Sequence, residues 1–372
     1  MYEGLQKLEQ MLALPTPEPD PALRIRALNG LGTLCHYGSE FLKARRIIEE
    51  CVELSRSQGD EKGLAKALTN LAWVHSELSD FPVARVLSKE ALVLQEKLGE
   101  RRGTALALNN LGWVASYVGE YFEARSYHEK GLAICREIGD QRGIAFALTN
   151  LAWAEQSHGE LEKASEMLTE ALGILRSVND RVLIGWAAVN IGRVARDQGR
   201  LERACRIWDE SLAAWPAAGH RSLLAWTCTY LGATMVDLGE VEDGWRHLSR
   251  GLEVWKNIQS PWGVAKNLWE HGRVLLGSDD EEAEKMIRES LRTWGELGVK
   301  RGAAECLEGL ADIEMRRLAL LGAARSVREN CGAATPPAVR GGFECLLHQW
   351  PARVEGDGQT YTIDEAVGLG LS

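Results

Sequence analysis

Asparagine and tryptophan side chains that could bind a peptide recur in this sequence at a spacing of 40 residues. The segment ALTNLAW occupies residues 67–73 and returns unchanged at 147–153, and ALNNLGW lies between them at 107–113. A side-chain amide both donates and accepts hydrogen bonds, which suits a peptide backbone, and an indole offers a flat apolar surface. The chemistry that these residues predict is binding.

Motifs for catalysis are absent from the sequence. The eight histidines include no His-x-x-x-His or His-Glu-x-x-His pair, and there is no Gly-x-Ser-x-Gly elbow or glycine-rich phosphate loop. Neighbouring carboxylates such as Glu49 and Glu50 fall at predicted helix ends or turns, where solvated charge is expected. We therefore predict a protein that is not an enzyme, with no catalytic residue, no metal and no cofactor.

Charge and composition restrict the partners. The 372 residues carry a formal net charge of −10 and no Lys/Arg-rich run, which argues against direct contact with nucleic acid. No apolar run approaches the roughly 18 residues of a membrane span, and the acidic, amphipathic N-terminus is not a signal peptide. The eight cysteines form no Cys-x-x-Cys pair, which is typical of reduced thiols. A cytoplasmic protein with a protein or peptide partner is predicted, and its oligomeric state stays open.

Two series of turn residues divide the chain into helical segments. The first series includes Gly59-Asp60, Gly99-Glu100 and Gly139-Asp140, and the second includes Ser79-Asp80 and Gly119-Glu120. Helix formers with apolar residues at spacings of three and four lie between the turns. Each 40-residue repeat therefore predicts two antiparallel helices, and Gly112 and Ala124 are small where these helices cross closely.

Seven repeats follow from this register: 21–60, 61–100, 101–140, 141–180, 181–220, 221–260 and 261–299. An opening helix of an eighth repeat begins near Lys300. The predicted organisation is a capping helix and Pro-rich loop at 1–20, a solenoid at 21–314, and capping helices with a tail at 315–372. Thr362 and Glu365 form a capping-box pattern that predicts a short final helix.

The repeats resemble the tetratricopeptide repeat. Leu111-Gly112, Gly119-x-Tyr121, Ala124 and Gly131-Leu132 stand at that family's spacings, and the 40-residue length is similar to its long-helix variant. The resemblance implies an all-α fold, a right-handed α–α superhelix in which the first helices line the concave side.

Segments at both ends are similar to the C-terminal repeat region of bacterial STAND-type signal-transduction ATPases, including LuxR-type transcriptional regulators. These segments include the opening GLQKLEQMLAL, Ala27-Leu28-Asn29-Gly30 and the closing TIDEAVGLGL. In that family the array follows a nucleotide-binding module, but this sequence has no Gly-Lys dipeptide and hence no Walker A loop. The chain is then either an excised region or a stand-alone descendant. The resemblance implies a protein or peptide partner, such as an ATPase or DNA-binding domain of the same system.

Residues before and after Leu-Gly or Leu-Ala in each first helix are candidates for the concave surface. In peptide-binding tetratricopeptide proteins an Asn at the matching place contacts the peptide, which is what the resemblance implies here. Arg193 and Arg273 replace the aromatic residue in later repeats and would suit a ligand carboxylate. Salt bridges to Asp197 or Glu270 are the alternative. The candidate binding residues are Asn70, Trp73, Asn110, Trp113, Tyr117, Asn150, Trp153, Trp186, Asn190, Arg193, Trp226, Trp269 and Arg273.

Packing is the alternative interpretation of the same residues. Stacked repeats demand recurring residue types, so each Asn could bond to the next helix and each Trp could fill a gap between repeats. Two binding functions remain open, beside a purely structural spacer. The first is an interaction module that binds a protein segment in its concave groove. The second is a small-molecule effector sensor, which should enclose a pocket, as where Trp186, Trp226 and Trp269 would converge.

Overall fold

The computed structural model of the chain describes residues 8, 10, 20–214 and 220–313, and all regular elements within these ranges are helices. Residues 300–313 are also helical. The predicted helices of the tail, including the one expected after Thr362, lie outside the described residues. The helices with bounds, numbered here in chain order, are α1 (Pro21–Tyr37), α2 (Phe41–Gln58), α3 (Glu61–Glu77), α4 (Phe81–Lys97), α5 (Arg101–Val118), α6 (Tyr121–Glu137), α7 (Gln141–Ser157), α8 (Leu161–Ser177), α9 (Arg181–Asp197), α10 (Leu201–Ala214), α11 (Arg221–Asp237), α12 (Val241–Asn257), α13 (Pro261–Leu275) and α14 (Asp280–Leu297).

Aspartates of the first turn series start several first helices. The side chains of Asp60, Asp140 and Asp180 accept hydrogen bonds of 2.9–3.1 Å from backbone N–H groups at the starts of α3, α7 and α9. Each bond satisfies one of the N–H groups that a helix N-terminus leaves without an intrahelical partner. The turn residues read from the sequence thus set the helix starts.

Close crossings of the two helices in a repeat need small residues, as Gly112 illustrates. A Cβ atom built on Gly112 would lie 2.6 Å from Cε1 of His128, which is fully buried on the facing helix α6. The imidazole occupies the space that a side chain at 112 would need. Nδ1 of His128 in turn lies 3.0 Å from Oδ1 of Asn109.

Ion pairs connect three first helices, α3, α5 and α7, to the start of the next first helix. Lys62 pairs with Glu100, Arg102 with Asp140 at 2.9 Å, and Arg142 with Asp180 at 2.7 Å. The basic residue is the second of its repeat and the acidic residue is the last. The three pairs thus recur at the 40-residue spacing, and we call them the ladder of charges.

The chain divides into two compact units, residues 1–267 and 268–372, with the boundary inside α13. The first unit contains the hairpins α1/α2 to α11/α12. In the described part of the second unit, Gly272 packs against Ile287 of α14, and Trp294 packs beneath Gly302. The predicted fold class, an all-α solenoid of tetratricopeptide type, is confirmed.

Candidate ligand-binding pocket on the inner face

A pocket with about 710 Å³ of empty space, part of which opens to solvent, lies on the inner face of the first compact unit. Its walls come mainly from the first helices of six successive repeats, α1, α3, α5, α7, α9 and α11, and Phe41 of α2 adds to them. We call this cavity the inner pocket.

The lining residues recur at fixed positions of the repeat. The sixth position supplies Leu106, Phe146, Trp186 and Trp226 in four successive repeats. The thirteenth position supplies Trp73 and Trp113, the seventeenth supplies Tyr37 and Glu77, and the second supplies Arg142, Val182 and Ser222. At 100° per residue these four positions fall within about 60° of one another on a helix, so they share one face.

Contacts between distant repeats close one side of the pocket. The backbone N–H of Arg221, at the start of α11, donates to Oγ of Ser39, at 3.0 Å. The ring of Tyr37 lies 5.3 Å from that of His220 in an edge-to-face contact. One repeat further along, the backbone N–H of Trp262 donates to Oγ of Ser79, at 3.1 Å. Within the first unit, the starts of the sixth and seventh repeats therefore contact the turns of the first and second repeats.

A series of neighbouring aromatic rings lines the pocket and extends past it along the inner face. Ring centroids lie 5.1 Å apart for Trp113 and Trp186 and 6.3 Å apart for Trp186 and Trp226. Beyond the pocket, the guanidinium of Arg193 lies 5.3 Å from the ring of Trp153 and 5.4 Å from that of Tyr230. This inner face thus already holds one cation between two aromatic rings.

Glu77 is a half-buried carboxylic acid in the aromatic lining. Burial raises the pKa of Glu77 to about 7, although hydrogen bonds from Ser222 and Trp73 act in the opposite direction by favouring the charged form. At neutral pH this side chain is therefore close to its titration midpoint, and a neighbouring cation would shift it toward the carboxylate form.

The other ionisable groups of the lining leave the Glu77 charge uncompensated. Burial lowers the pKa of His36 to about 3 and that of His220 to about 4, so both imidazoles are neutral near pH 7. Nε of Arg142 donates to Asp180 at 2.7 Å, and its Nη2 donates to the Tyr37 hydroxyl at 3.5 Å. The guanidinium is thus neutralised within the ladder of charges.

The predicted asparagines lie on the first helices and bond within the protein. Nδ2 of Asn70 donates to Asn29 and Thr33 of α1, at 3.4 and 3.3 Å, and that of Asn110 donates to the Thr69 carbonyl, at 2.8 Å. Oδ1 of Asn150 accepts from the Trp186 indole at 3.0 Å. Nδ2 of Asn190 donates to the carbonyl of Trp186, at 2.9 Å. These bonds have the geometry expected of the packing interpretation.

The predicted aromatic and arginine residues separate into three groups. Trp73, Trp113, Trp186 and Trp226 line the inner pocket. Trp153, Tyr117 and Arg193 extend the aromatic network beside it. Trp269 and Arg273 belong to the second unit, where Trp269 packs near Gly309 and Nε of Arg273 donates to Glu270 at 3.0 Å.

Eight polar or aromatic lining residues are missing from the sequence-based prediction: His36, Tyr37, Phe41, Glu77, Arg142, Phe146, His220 and Ser222. The repeat pattern held a signal for three of them. Tyr37 and Glu77 occupy the same repeat position as the predicted Tyr117, and Phe146 occupies that of Trp186 and Trp226. The contact between the ends of α1 and α11 has no signal in the repeat pattern, because it joins residues 182 positions apart.

In the described part of the chain, no group of three or more His, Cys, Asp and Glu side chains is placed to hold a metal ion. The helices described there include none that is both long and apolar enough to span a bilayer.

A family model described as "Tetratricopeptide repeat" matches residues 23–97 and 103–177. The chain carries tetratricopeptide repeats. The matched residues cover the hairpins from α1 to α8, which supply most of the first helices around the inner pocket. A search of the curated proteins gave no match.

Solved structures with a similar fold include three Rap proteins. A Rap protein complexed with competence and sporulation factor is 15% identical, with a TM-score of 0.55 over 84% of this chain and 91% of that one. The Rap conjugation gene regulator of plasmid pLS20, in complex with a Phr peptide, is 13% identical, with a TM-score of 0.54 over 82% and 80%. The apo form of RapI is 15% identical, with a TM-score of 0.52 over 74% and 99%. At these identities the likeness concerns the fold.

Proposed function

We propose that this protein is a non-enzymatic binding module of a signalling or transcriptional regulator, and that it takes a segment of a protein or peptide into the inner pocket. The observation that carries the proposal is the pocket itself, which has about 710 Å³ of empty space, part of it open to solvent, and is lined mainly by one face of six successive first helices. A concave, largely apolar site with a few polar groups has the character of a ligand site.

The low exposure of the lining tryptophans favours insertion of one side chain or chain end. Trp113, Trp186 and Trp226 are each less than 10% exposed, so they offer little surface to a peptide that runs across several repeats. Rings at the cavity wall can still contact a group that enters it. The amides of Asn110 and Asn190 are engaged inside the protein, and we assign them to positioning the first helices.

Peptide binding is supported by two independent considerations. Tetratricopeptide arrays bury their core between neighbouring repeats and use the concave side for binding. Two structures of similar fold are described as complexes, one with competence and sporulation factor and one with a Phr peptide. The resemblance to the repeat region of STAND-type and LuxR-type regulators provides the wider context, in which the array would act as the sensing arm.

A small-molecule effector is the second candidate ligand. The observation in its favour is the enclosure of the pocket by the contact of Ser39 with Arg221, which an open peptide groove does not need. Both candidates place the ligand in the same cavity, so one variant can test the location for either.

Leu106→Trp tests the proposal by filling the pocket. Leu106 lines the cavity at 38% exposure, and its counterparts two and three repeats later, Trp186 and Trp226, are already tryptophan. A tryptophan at this repeat position is therefore compatible with the fold of a repeat. Val86→Trp, at a position of α4 that is 64% exposed and does not line the pocket, is the matched control.

The measurement is a selection of random displayed peptides on the wild-type protein, together with a thermal-shift panel of metabolites. We expect the ligands found to bind Leu106→Trp at least about tenfold more weakly and Val86→Trp unchanged. Equal binding to Leu106→Trp would move the site away from the inner pocket. If no peptide binds and only metabolites do, the second candidate replaces the first.

A further inference from the structure

Glu77 is the one formal charge in the described lining of the inner pocket that has no opposite charge beside it. Among the described residues it takes part in no ion pair, and the groups that hold its carboxyl are the Ser222 side chain and the Trp73 indole. These are neutral donors. A carboxylate in such a place gains most from a cation that enters the cavity.

Arg142, the cation of the lining, does not fill that role. Its guanidinium continues the ladder that begins with Lys62–Glu100 and Arg102–Asp140, and its partner there is Asp180 at 2.7 Å. Its side chain is 42% exposed. Because Asp180 also caps α9 through the N–H of Leu183, the pair is part of the scaffold.

The rings around Glu77 suit a cation that carries an apolar stem. Trp73, Phe146 and Trp113 form a continuous series, with centroids 6.1 and 6.3 Å apart. The faces of aromatic rings carry negative potential and attract ammonium and guanidinium groups, and their area covers methylene groups. A purely apolar ligand would leave the carboxyl group of Glu77 further desolvated, and an anionic ligand would be repelled by it.

Arg193 provides an internal example of the same chemistry. It stands at the repeat position of Trp73 and Trp113, and its guanidinium lies between the rings of Trp153 and Tyr230. The neighbouring stretch of the inner face therefore pairs aromatic rings with a cation from the chain itself. The inner pocket has comparable rings and a carboxyl group, with space where the cation would lie.

We propose that the inner pocket binds the cationic side chain of a lysine or arginine in a peptide, with the charged group against Glu77 and its methylene stem against Trp73 and Trp113. This inference rests on the proposed function and names the ligand's chemistry. The formal net charge of −10 would also favour the approach of a basic peptide.

The test compares Glu77→Gln with a control variant, Glu61→Gln. Glu61 lies at the other end of the same helix, where it pairs with Lys97. Random displayed peptides are selected on the wild type and on each variant, and far-UV circular dichroism checks that each protein is folded. We expect lysine and arginine to be enriched at one position on the wild type and on Glu61→Gln, and we expect that enrichment to disappear on Glu77→Gln.

Selected peptides should also bind Glu77→Gln at least about tenfold more weakly, the loss typical of a hydrogen bond to a charged group. A second arm uses free probes, n-butylammonium and its neutral analogue 1-pentanol, measured by calorimetry. The ammonium should bind the wild type and lose affinity in Glu77→Gln, and the alcohol should not distinguish the two proteins.

Failure of this inference differs from failure of the proposed function. Peptides that bind without basic residues, or equally well to Glu77→Gln, would overturn the inference and keep the binding module. If no peptide is selected but n-butylammonium binds in a Glu77-dependent way, the peptide function fails and the cation site stands. Absence of binding in both arms would overturn both.

Discussion

Oγ of Ser39 accepts a hydrogen bond from the backbone N–H of Arg221, 182 residues later in the chain, at 3.0 Å. The residue before Arg221, His220, provides no side-chain cap for α11, so a serine from the first repeat satisfies this helix end instead. Ser79 does the same for Trp262 at 3.1 Å. Each bond ties a late first helix to an early turn and thereby encloses the inner face.

The conformation of Ser39 explains a departure from the repeat pattern. Ser39 and Ser79 have φ of 57° and 64°, a left-handed conformation that the later turns assign to glycines such as Gly119 and Gly159. A residue with a Cβ atom pays about 1 kcal/mol there. The hydroxyl group offsets this strain by capping the distant helix, which glycine cannot do.

We therefore predict that Ser39→Ala lowers the free energy of unfolding by about 1 kcal/mol, because it keeps the backbone strain and loses the cap. Ser39→Gly should cost less, since glycine relieves the strain. Urea denaturation of both variants measures this, with Ser57→Ala, an exposed serine of α2, as control. Two variants as stable as the wild type would show that the contact contributes nothing.

Gly112→Ala should destabilise the protein by about 1–3 kcal/mol, because its Cβ atom would collide with the buried imidazole of His128. Gly173→Ala is the matched control, since an added Cβ on this exposed helical glycine of α8 meets no atom within 4 Å. That substitution should stabilise by up to about 1 kcal/mol through helix propensity. Thermal denaturation of both variants measures the difference, and equal effects would contradict the close crossing of α5 and α6.

Much of this architecture is encoded locally and could be predicted from the sequence. The turn pairs Gly59-Asp60 and Gly139-Asp140 fix helix ends through a glycine with positive φ and a capping carboxylate, and both act within a few residues. Because the same kinds of turn residue recur every 40 residues, the helix ends of one repeat predict those of the next. Trp186 and Trp226 were predicted to lie on the inward side for the same reason.

Part of the pocket could not be predicted, because it depends on the winding of the whole first unit. The number of repeats in one superhelical turn decides that Tyr37 meets His220 and that Glu77 meets Ser222. Neither contact follows from the pattern within one repeat. The sequence also did not decide whether Asn110 binds a ligand or packs within the protein. Its hydrogen bond to the Thr69 carbonyl depends on how α5 lies against α3 of the preceding repeat.

Acid should destabilise the protein through His128. Burial lowers the pKa of His128 to about 3 in the folded state, whereas the unfolded chain protonates it near its ordinary value of 6.5. The unfolded state therefore binds more protons between these values, and the contribution to stability is full above pH 6.5 and is lost as the pH falls toward 3. His36 and His220 act in the same direction.

His128→Gln tests this contribution, because glutamine can still donate to Asn109 but does not titrate. We expect its thermal midpoint to fall less than that of the wild type between pH 7 and pH 5. An identical fall in both proteins would show that His128 does not titrate on unfolding.

Affinity for a cationic peptide should rise between pH 6 and pH 8, because the pKa of Glu77 is raised to about 7 and the carboxylate form binds the cation. The facing groups do not titrate in this range. The pKa values of His36 and His220 are lowered to about 3 and about 4, that of Tyr117 is raised well above 10, and that of Arg142 is raised above its ordinary value. Calorimetry at several pH values measures the rise, and Glu77→Gln should abolish it. If the affinity of Glu77→Gln still rises with pH, a group other than Glu77 is responsible for the pH dependence.

The central claim is that the ligand enters the inner pocket, and ¹⁹F NMR of protein labelled with 5-fluorotryptophan tests it most directly. Single Trp→Phe variants assign the resonances of Trp73 and Trp113, which line the pocket, and of Trp208 and Trp294, which are buried elsewhere. Titration with a selected peptide should shift the first pair saturably and leave the second pair in place. Saturable binding that moves neither Trp73 nor Trp113 would contradict the account.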